Sequence, residues 1–307
     1  MAEYDVIIVG SGLAGLTAGL FAARHGLSTL ILESNIPGGH LISIEKIEDF
    51  PGFPDGTAGY DLCPTVQRQA ADHGAELQRG EVVRLESHDR VWSVVTDEDR
   101  HRARAVIVAT GSALKELGVP GEAKLMGRGV SHCASCDGPL YNGRAVGVVG
   151  GGDSALQEAL TLANYAASVL VFHRSQSFSG QHALLERVVR NPKISPRYLT
   201  VIEEVLGDDV VTGARVRNLT SNQIAEIDLA GLFVYIGLKP NTALLKDVVN
   251  LSDSGHVPTN GWMKTERAGL YAIGDIREDS AAQAIASAGD GATAAIAVYR
   301  YIKETFR

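Results

Sequence analysis

The stretch Asp5-Val-Ile-Ile-Val-Gly10-Ser-Gly12-Leu-Ala-Gly15 decides the fold class. Its first half is a short, apolar, β-branched run, the pattern of a strand buried on both faces. Its second half spaces glycines at 10, 12 and 15. A helical pattern follows over about 13–25, with Gly26 at the expected C-cap. A second apolar strand, 28–32, ends at Glu33. Strand, glycine turn, helix, strand and acid in that order open a dinucleotide-binding βαβ unit. The glycines allow a tight turn, backbone approach to a pyrophosphate and close helix–strand packing. The backbone around Ser11 and Ala14 presents the helix N-terminus, with unpaired N–H groups and a positive dipole end, to the phosphates. Glu33 is placed to accept hydrogen bonds from an adenosine ribose.

The same plan returns near the middle of the chain. A strand over 144–149 leads into Gly150-Gly-Gly152-Asp153-Ser154-Ala155, a helix over about 154–165 and a strand over 168–172. Alanine is an accepted third residue of such a turn. No acid ends this second strand; His173 and Arg174 stand there, and Arg174 suits a ribose 2′-phosphate, hence NADP rather than NAD.

Around these two units lie further buried strands near 106–111 and 229–236, Gly/Pro-containing connections, and a tail with Gly269-Leu-Tyr-Ala-Ile-Gly274-Asp275. An alanine-rich helix is expected over about 283–299. The resulting class is α/β, with two Rossmann-like three-layer dinucleotide-binding domains, the second inserted into the first. The expected boundaries are 1–113 with 241–307 for the outer domain and 114–240 for the insert.

Composition agrees with this. The 307 residues are 45% hydrophobic and 21% charged, near the globular average, and 34 glycines suit a chain rich in tight turns. A net charge of −8 offers no attraction to nucleic acid or to an anionic membrane. No apolar run approaches the roughly 18 residues of a membrane span, and the acidic start lacks a signal-peptide pattern, so a cytoplasmic location is expected.

Three cysteines cannot build a disulfide framework. Cys63 stands alone beside Pro64 and reads as inert and partly buried. Cys133-Ala-Ser-Cys136-Asp137 is different. A structural zinc site wants four ligands, only Cys63 remains, and His132 adjoins Cys133 too closely to reach the same ion. Two-residue spacing suits a reversible disulfide at a helical turn, where the dipole lowers a thiol pKa. Asp137 adjoins it as a proton donor or acceptor. No metal is expected.

In combination these residues resemble the low-molecular-weight thioredoxin reductase family. The likeness covers nearly the whole chain: Gly10–Gly15; Gly38-Gly39-His40 with Glu48-Asp-Phe-Pro-Gly52; Ala109-Thr110-Gly111; Cys133–Gly138; Gly150–Ala155; Tyr235-Ile-Gly and Pro240-Asn-Thr242; and Gly274-Asp275. The resemblance implies FAD on the first turn, with Gly39, His40, Thr110, Gly111, Gly274 and Asp275 around it. Asp275 would hold the ribityl chain, and the helix at Gln283 and Ala284 would aim its positive end at the flavin pyrimidine. It implies a nicotinamide cofactor on the second turn. Cys136 would face the flavin, Cys133 would attack the disulfide of a thioredoxin-like partner, and Asp137 would move protons. It further implies a homodimer, and a rotation about connections near 112–118 and 237–243 that presents the cysteine pair and the nicotinamide to the flavin in turn.

Three places depart from the family pattern. After the second strand the family carries His-Arg-Arg and another arginine four positions on, whereas here Ser175 and Ser179 replace two of those cations. A Tyr-Arg-Gln segment reads Ala281-Ala282-Gln283, and His40 stands where glutamine is usual. These cluster on the reductant side. The donor is therefore left open among NADPH of reduced selectivity, NADH and a non-nicotinamide donor such as ferredoxin. Two other functions use the same residues: an oxidase forming disulfides in a small dithiol at the expense of oxygen, and a flavin redox sensor without turnover.

Overall fold

A computed structural model of the chain describes residues 3–306. β1 (Glu3–Val9) sends Val6 and Ile8 into one core and Ile7 and Val9 into another. Successive side chains of a strand point to opposite faces, so a run apolar at every position needs cover on both sides. α1 (Leu13–Arg24) follows and ends one residue earlier than expected, with Gly26 in the left-handed region at φ +74°. Next come β2 (Thr29–Glu33), α2 (Gly59–Asp72), β3 (Glu76–Arg79), β4 (Val82–His88), β5 (Val91–Thr96) and β6 (Arg100–Val108).

The chain then leaves through β7 (Ser112–Leu114) into α3 (Glu122–Leu125), β8 (Val130–Ser131), α4 (Ala134–Asp137), β9 (Ala145–Gly150) and α5 (Asp153–Leu162). β10 (Ser168–Phe172), α6 (His182–Arg190), β11 (Ile194–Arg197), β12 (Thr200–Leu206), β13 (Gly213–Asn218), β14 (Ile224–Asp228) and β15 (Gly231–Tyr235) follow. β16 (Leu238–Pro240), which pairs with β7, returns the chain to β17 (Leu270–Ala272) and α7 (Ala284–Thr305). Two compact units result: residues 1–113 with 240–307, and residues 114–239.

In the first unit β3, β2, β1, β6 and β17 run parallel. The nine-residue β6 pairs with β1 along one edge and with two strands along the other. Residues 100–103 pair antiparallel with β5, and residues 106–108 pair with β17. Val9 lies opposite both Leu32 and Val108, so Gly10, Glu33 and Ala109 emerge at one carboxyl edge. α7 packs along α1 through small residues, and a Cβ on Gly291 would collide with the Ala14 carbonyl. α7 runs to Thr305, beyond the expected stop near 299. Val298 and Ile302 both stay in the core, and no glycine or proline interrupts the last turns.

In the second unit β11, β10, β9, β15 and β8 form a parallel sheet. One face packs on α5 and α6 through Val146, Val148, Val169 and Val171. The other packs on the antiparallel sheet β12-β13-β14 through Val149, Phe172 and Val234. The helix of the second βαβ unit spans Asp153–Leu162, shorter than the expected 154–165, because residues 163–166 close in turns before β10. Among the described residues no helix is long and apolar enough to cross a membrane.

Candidate functional site

A cavity of about 760 Å³ opens at the carboxyl edge of the first unit's sheet. Gly10, at φ +102°, lets the chain turn there, and a Cβ on it would collide with the Ala109 carbonyl. A Cβ on Gly15 would collide with the Gly10 carbonyl, so α1 begins directly against the turn. Gly12 caps α1 with no side-chain oxygen, so the first-turn N–H groups are left for a ligand. Glu33 pins this turn. Its Oε2 accepts from the Ser11 N–H at 2.8 Å and the Ser11 hydroxyl at 2.7 Å, and its Oε1 accepts from the Asn35 N–H at 2.9 Å. A carboxylate has about four acceptor positions, so one remains for a ribose hydroxyl.

Further along the cavity, the His40 ring Nε2 donates to the Ser112 carbonyl. The Ser112 hydroxyl donates to Asp275 Oδ2 at 3.2 Å. Thr110 Oγ1 donates to the Asn241 carbonyl at 2.7 Å, and Asn241 Nδ2 donates back to the Thr110 carbonyl at 3.0 Å. The Gly274 turn is held from behind. Asp290 Oδ2, on α7, accepts from the Gly274 N–H at 3.1 Å and from Arg277 Nε at 2.6 Å. The Asp290 side chain is 8% exposed and that of Arg277 18%. Removing one partner of such a buried pair strands the other, at about 3 kcal/mol. Asp290→Ala is therefore expected to lower the melting temperature by roughly 6–12 °C. Asp290→Asn, which keeps an acceptor for Gly274, should lose less. Equal melting of all three proteins would show that the pair does not hold the turn.

The cavity brings together Gly10, Ser11, Gly12, Ala14, Glu33, Gly39, His40, Thr110, Gly111, Gly274 and Asp275. Gly15 lies behind its wall, and Gln283 and Ala284, the cap and first residue of α7, do not line it; the helix reaches it through Ser287. Ser112, Asn241 and Gly80–Val82 also line it, beyond the residues expected from the sequence. Asn241 lies within the Pro240-Asn-Thr242 segment already noted, whereas nothing in the sequence marks Gly80–Val82. Cys63 differs from expectation in being fully buried, at 1% exposure. Its thiol donates to the Gly38 carbonyl at 3.7 Å, and burial pushes it up to about 11, so it stays protonated at neutral pH.

In the second unit Cys133 and Cys136 form a disulfide. Cys133 is the N-cap of α4, and its Sγ accepts from the Cys136 N–H at 3.2 Å and lies 3.4 Å from Ser135 Oγ. These donors are placed to favour negative charge at that sulfur. The turn is fastened to the end of β15. The Ala134 N–H donates to Tyr235 Oη at 3.1 Å, and His132 Nδ1 donates to the Val234 carbonyl at 2.9 Å. Burial, with the charges of Glu158 and Asp137, pushes the Tyr235 hydroxyl far above its ordinary range and keeps it neutral. Cys136 is exposed, Cys133 and Asp137 half-buried.

The second glycine turn, also in this unit, is built differently. A Cβ on Gly150 would collide with the Tyr235 carbonyl and press on Ala155, which is buried where the first turn has Gly15. Gly152 caps α5 without a side chain. Asp153 Oδ1 accepts from the Gln181 N–H at 2.7 Å. Ser154 is exposed. The His173 ring packs on Gly151, and the Ser179 and Gly180 N–H groups both donate to the Gly151 carbonyl, at 2.8 and 3.1 Å. Burial, reinforced by neighbouring Arg174, holds the His173 imidazole below the usual histidine range, so it adds no charge near pH 7.

The family described as pyridine nucleotide-disulphide oxidoreductase matches residues 4–291. Thioredoxin reductase of Mycolicibacterium smegmatis is 40% identical over 302 residues, covering 98% of this chain and 97% of that protein. Thioredoxin reductase of Treponema pallidum is 37% identical over 300 residues, with the same two shares. The crystal structure of Lactococcus lactis thioredoxin reductase has a TM-score of 0.96 at 33% identity, covering 98% of this chain and 99% of its own.

Proposed function

The chain belongs to the pyridine nucleotide-disulphide oxidoreductase family, and we propose that it is a thioredoxin reductase that carries two electrons from a reduced pyridine nucleotide, through FAD and Cys133–Cys136, to the disulfide of a thioredoxin-like protein. The observation that carries this reading is the disulfide at the start of α4, in the unit that also holds the second glycine turn. The first-unit cavity suits FAD. Its volume lies in the range of small-molecule sites, the helix start offers N–H groups to a diphosphate, and Glu33 keeps an acceptor free for a ribose. Asp275, steadied by Ser112, is the acceptor for the ribityl hydroxyls, and the Gly274 turn carries it. When bound, FAD relays the electron pair between nicotinamide and disulfide.

The protein's own residues then act in order. Two electrons and two protons open the Cys133–Cys136 bond, with Asp137 passing a proton. The Cys133 thiolate, favoured by the Cys136 N–H and the Ser135 hydroxyl, attacks one sulfur of the partner disulfide and expels the other as a thiolate. Cys136 then attacks Cys133 Sγ, which restores the intramolecular disulfide and releases the partner as a dithiol.

The test is anaerobic titration of the purified protein with NADPH, NADH and dithiothreitol in turn, followed by turnover with thioredoxin. A yellow protein bleached by a reduced nucleotide, taking up two electron pairs per chain, is expected. A colourless protein after gentle purification would remove FAD from the account. A flavin bleached by dithiols and never by a nucleotide is the oxidase's pattern.

A further inference from the structure

Nothing in the reaction above uses the carboxyl end of β11, where Arg197 stands on the strand next to β10. β10 and β11 are parallel neighbours, with Phe172 opposite Arg197. Past the strand ends the two segments stay joined by backbone hydrogen bonds. The His173 N–H donates to the Arg197 carbonyl at 3.0 Å, the Leu199 N–H to the Ser175 carbonyl at 3.2 Å, and the Thr200 N–H to the His173 carbonyl at 3.0 Å. Leu199, at φ +52°, turns the chain back into β12. Arg174 therefore faces the 197–199 segment across one interstrand gap. With strands about 4.8 Å apart and a rise of about 3.3 Å per residue, the Arg174 and Arg197 Cα atoms lie roughly 8 Å apart. Two arginine side chains converge easily over that span.

Both arginines are exposed, and neither side chain makes an ion pair or hydrogen bond among the described residues. The arginines of the adjoining antiparallel sheet are committed elsewhere, Arg215 to Glu204 and Glu226, and Arg217 to Glu203. The surroundings are fixed. Phe178, 7% exposed, is buried between the rings of His173 at 5.4 Å and Tyr198 at 4.8 Å. The loop carrying Ser175 and Ser179 is thus tied down and brings hydroxyls, not cations. In a fold of this kind the adenosine ribose of the dinucleotide lies at the end of the second strand, here β10.

We propose that Arg197 is a specificity residue which, with Arg174, clamps a phosphate monoester on the adenosine ribose, so that the reductant is NADPH rather than NADH. The second cation comes from the neighbouring strand instead of from the loop. This rests on the reading of the second glycine turn as the nucleotide site. The two planar forks offer charge-assisted bonds to a dianionic phosphate and nothing comparable to a ribose hydroxyl.

The test is calorimetric titration of the flavin-loaded, full-length protein with adenosine 2′,5′-bisphosphate and with 5′-AMP, at low and high salt. The wild type is expected to favour the bisphosphate, and more so at low salt. Arg197→Ala should lose about 10- to 100-fold on the bisphosphate and little on AMP. Arg197→Lys, which keeps the charge and loses the fork, should lose less. Arg174→Ala should resemble Arg197→Ala. An unchanged bisphosphate-to-AMP ratio in Arg197→Ala, or no preference in the wild type, overturns the clamp while the nucleotide site stands. Failure of both compounds to bind, with no bleaching by either reduced nucleotide, overturns the nucleotide reading and the clamp with it.

Discussion

Cys136→Ser is expected to reduce thioredoxin turnover by at least about 10³-fold while the protein stays folded and yellow. Serine's hydroxyl neither forms a disulfide with Cys133 nor attacks one, so the cycle loses both its electron store and its resolving step. Binding of FAD should be untouched, because the first-unit cavity contains no residue of the second unit. The fold should hold as well. The Cys136 N–H that caps Cys133 belongs to the backbone, and Ala134 and His132 keep the turn fastened to β15. Cys63 cannot stand in, being buried with its thiol pushed up to about 11. A second readout follows from the division of labour between the sulfurs. Cys133 in the variant still attacks a partner disulfide but is never displaced, so a covalent adduct with thioredoxin should accumulate. Turnover near the wild-type rate, or an adduct that forms only through Cys136 in a Cys133→Ser protein, would reverse or remove the assigned roles.

Gly15→Ala should cost about 3 kcal/mol or more and empty the protein of flavin, although Gly15 does not line the cavity. One methyl group added there falls on the Gly10 carbonyl, and Gly10 itself is boxed in by Ala109. The clash can be relieved only by lifting α1 away from the sheet, which moves the N–H groups offered to the diphosphate. α1 is also the main partner of α7, so the shift is not local. Gly12→Ala is the control. Its backbone is extended and a Cβ there meets nothing within 4 Å. That variant should melt like the wild type and yet hold FAD more weakly, since Gly12 lines the cavity. Flavin content after purification and thermal melting separate the cases. Gly15→Ala with normal melting and full flavin content would mean that the close start of α1 is not needed.

The legible parts of the molecule are those written in local, periodic or spaced patterns. Both βαβ openings could be placed from the sequence within a few residues, because a strand buried on two faces must be apolar throughout and a phosphate-binding turn must be glycine-rich. The cysteine pair was equally visible, since two residues between sulfurs is a spacing one helical turn can close. The α7 stop was not legible. Tyr-Arg-Tyr-Ile-Lys-Glu-Thr carries no terminator, and only the packing of Val298 and Ile302 in the core shows that the helix continues. The role of Asp290 was equally hidden, because its partners Gly274 and Arg277 lie more than ten positions away on another element.

What the linear order determined by itself, then, is the class of fold, the two glycine turns and the close cysteine pair, since each depends on neighbours a few bonds apart. Tertiary structure alone decided which distant groups share a surface: Ser112, Asn241 and Ser287 around the first cavity, Tyr235 beneath the cysteine turn, and Arg197 opposite Phe172 at the end of β10. Strand register and helix docking set those meetings. Both depend on how whole elements bury their apolar faces, which a chain of residues expresses only after it has folded.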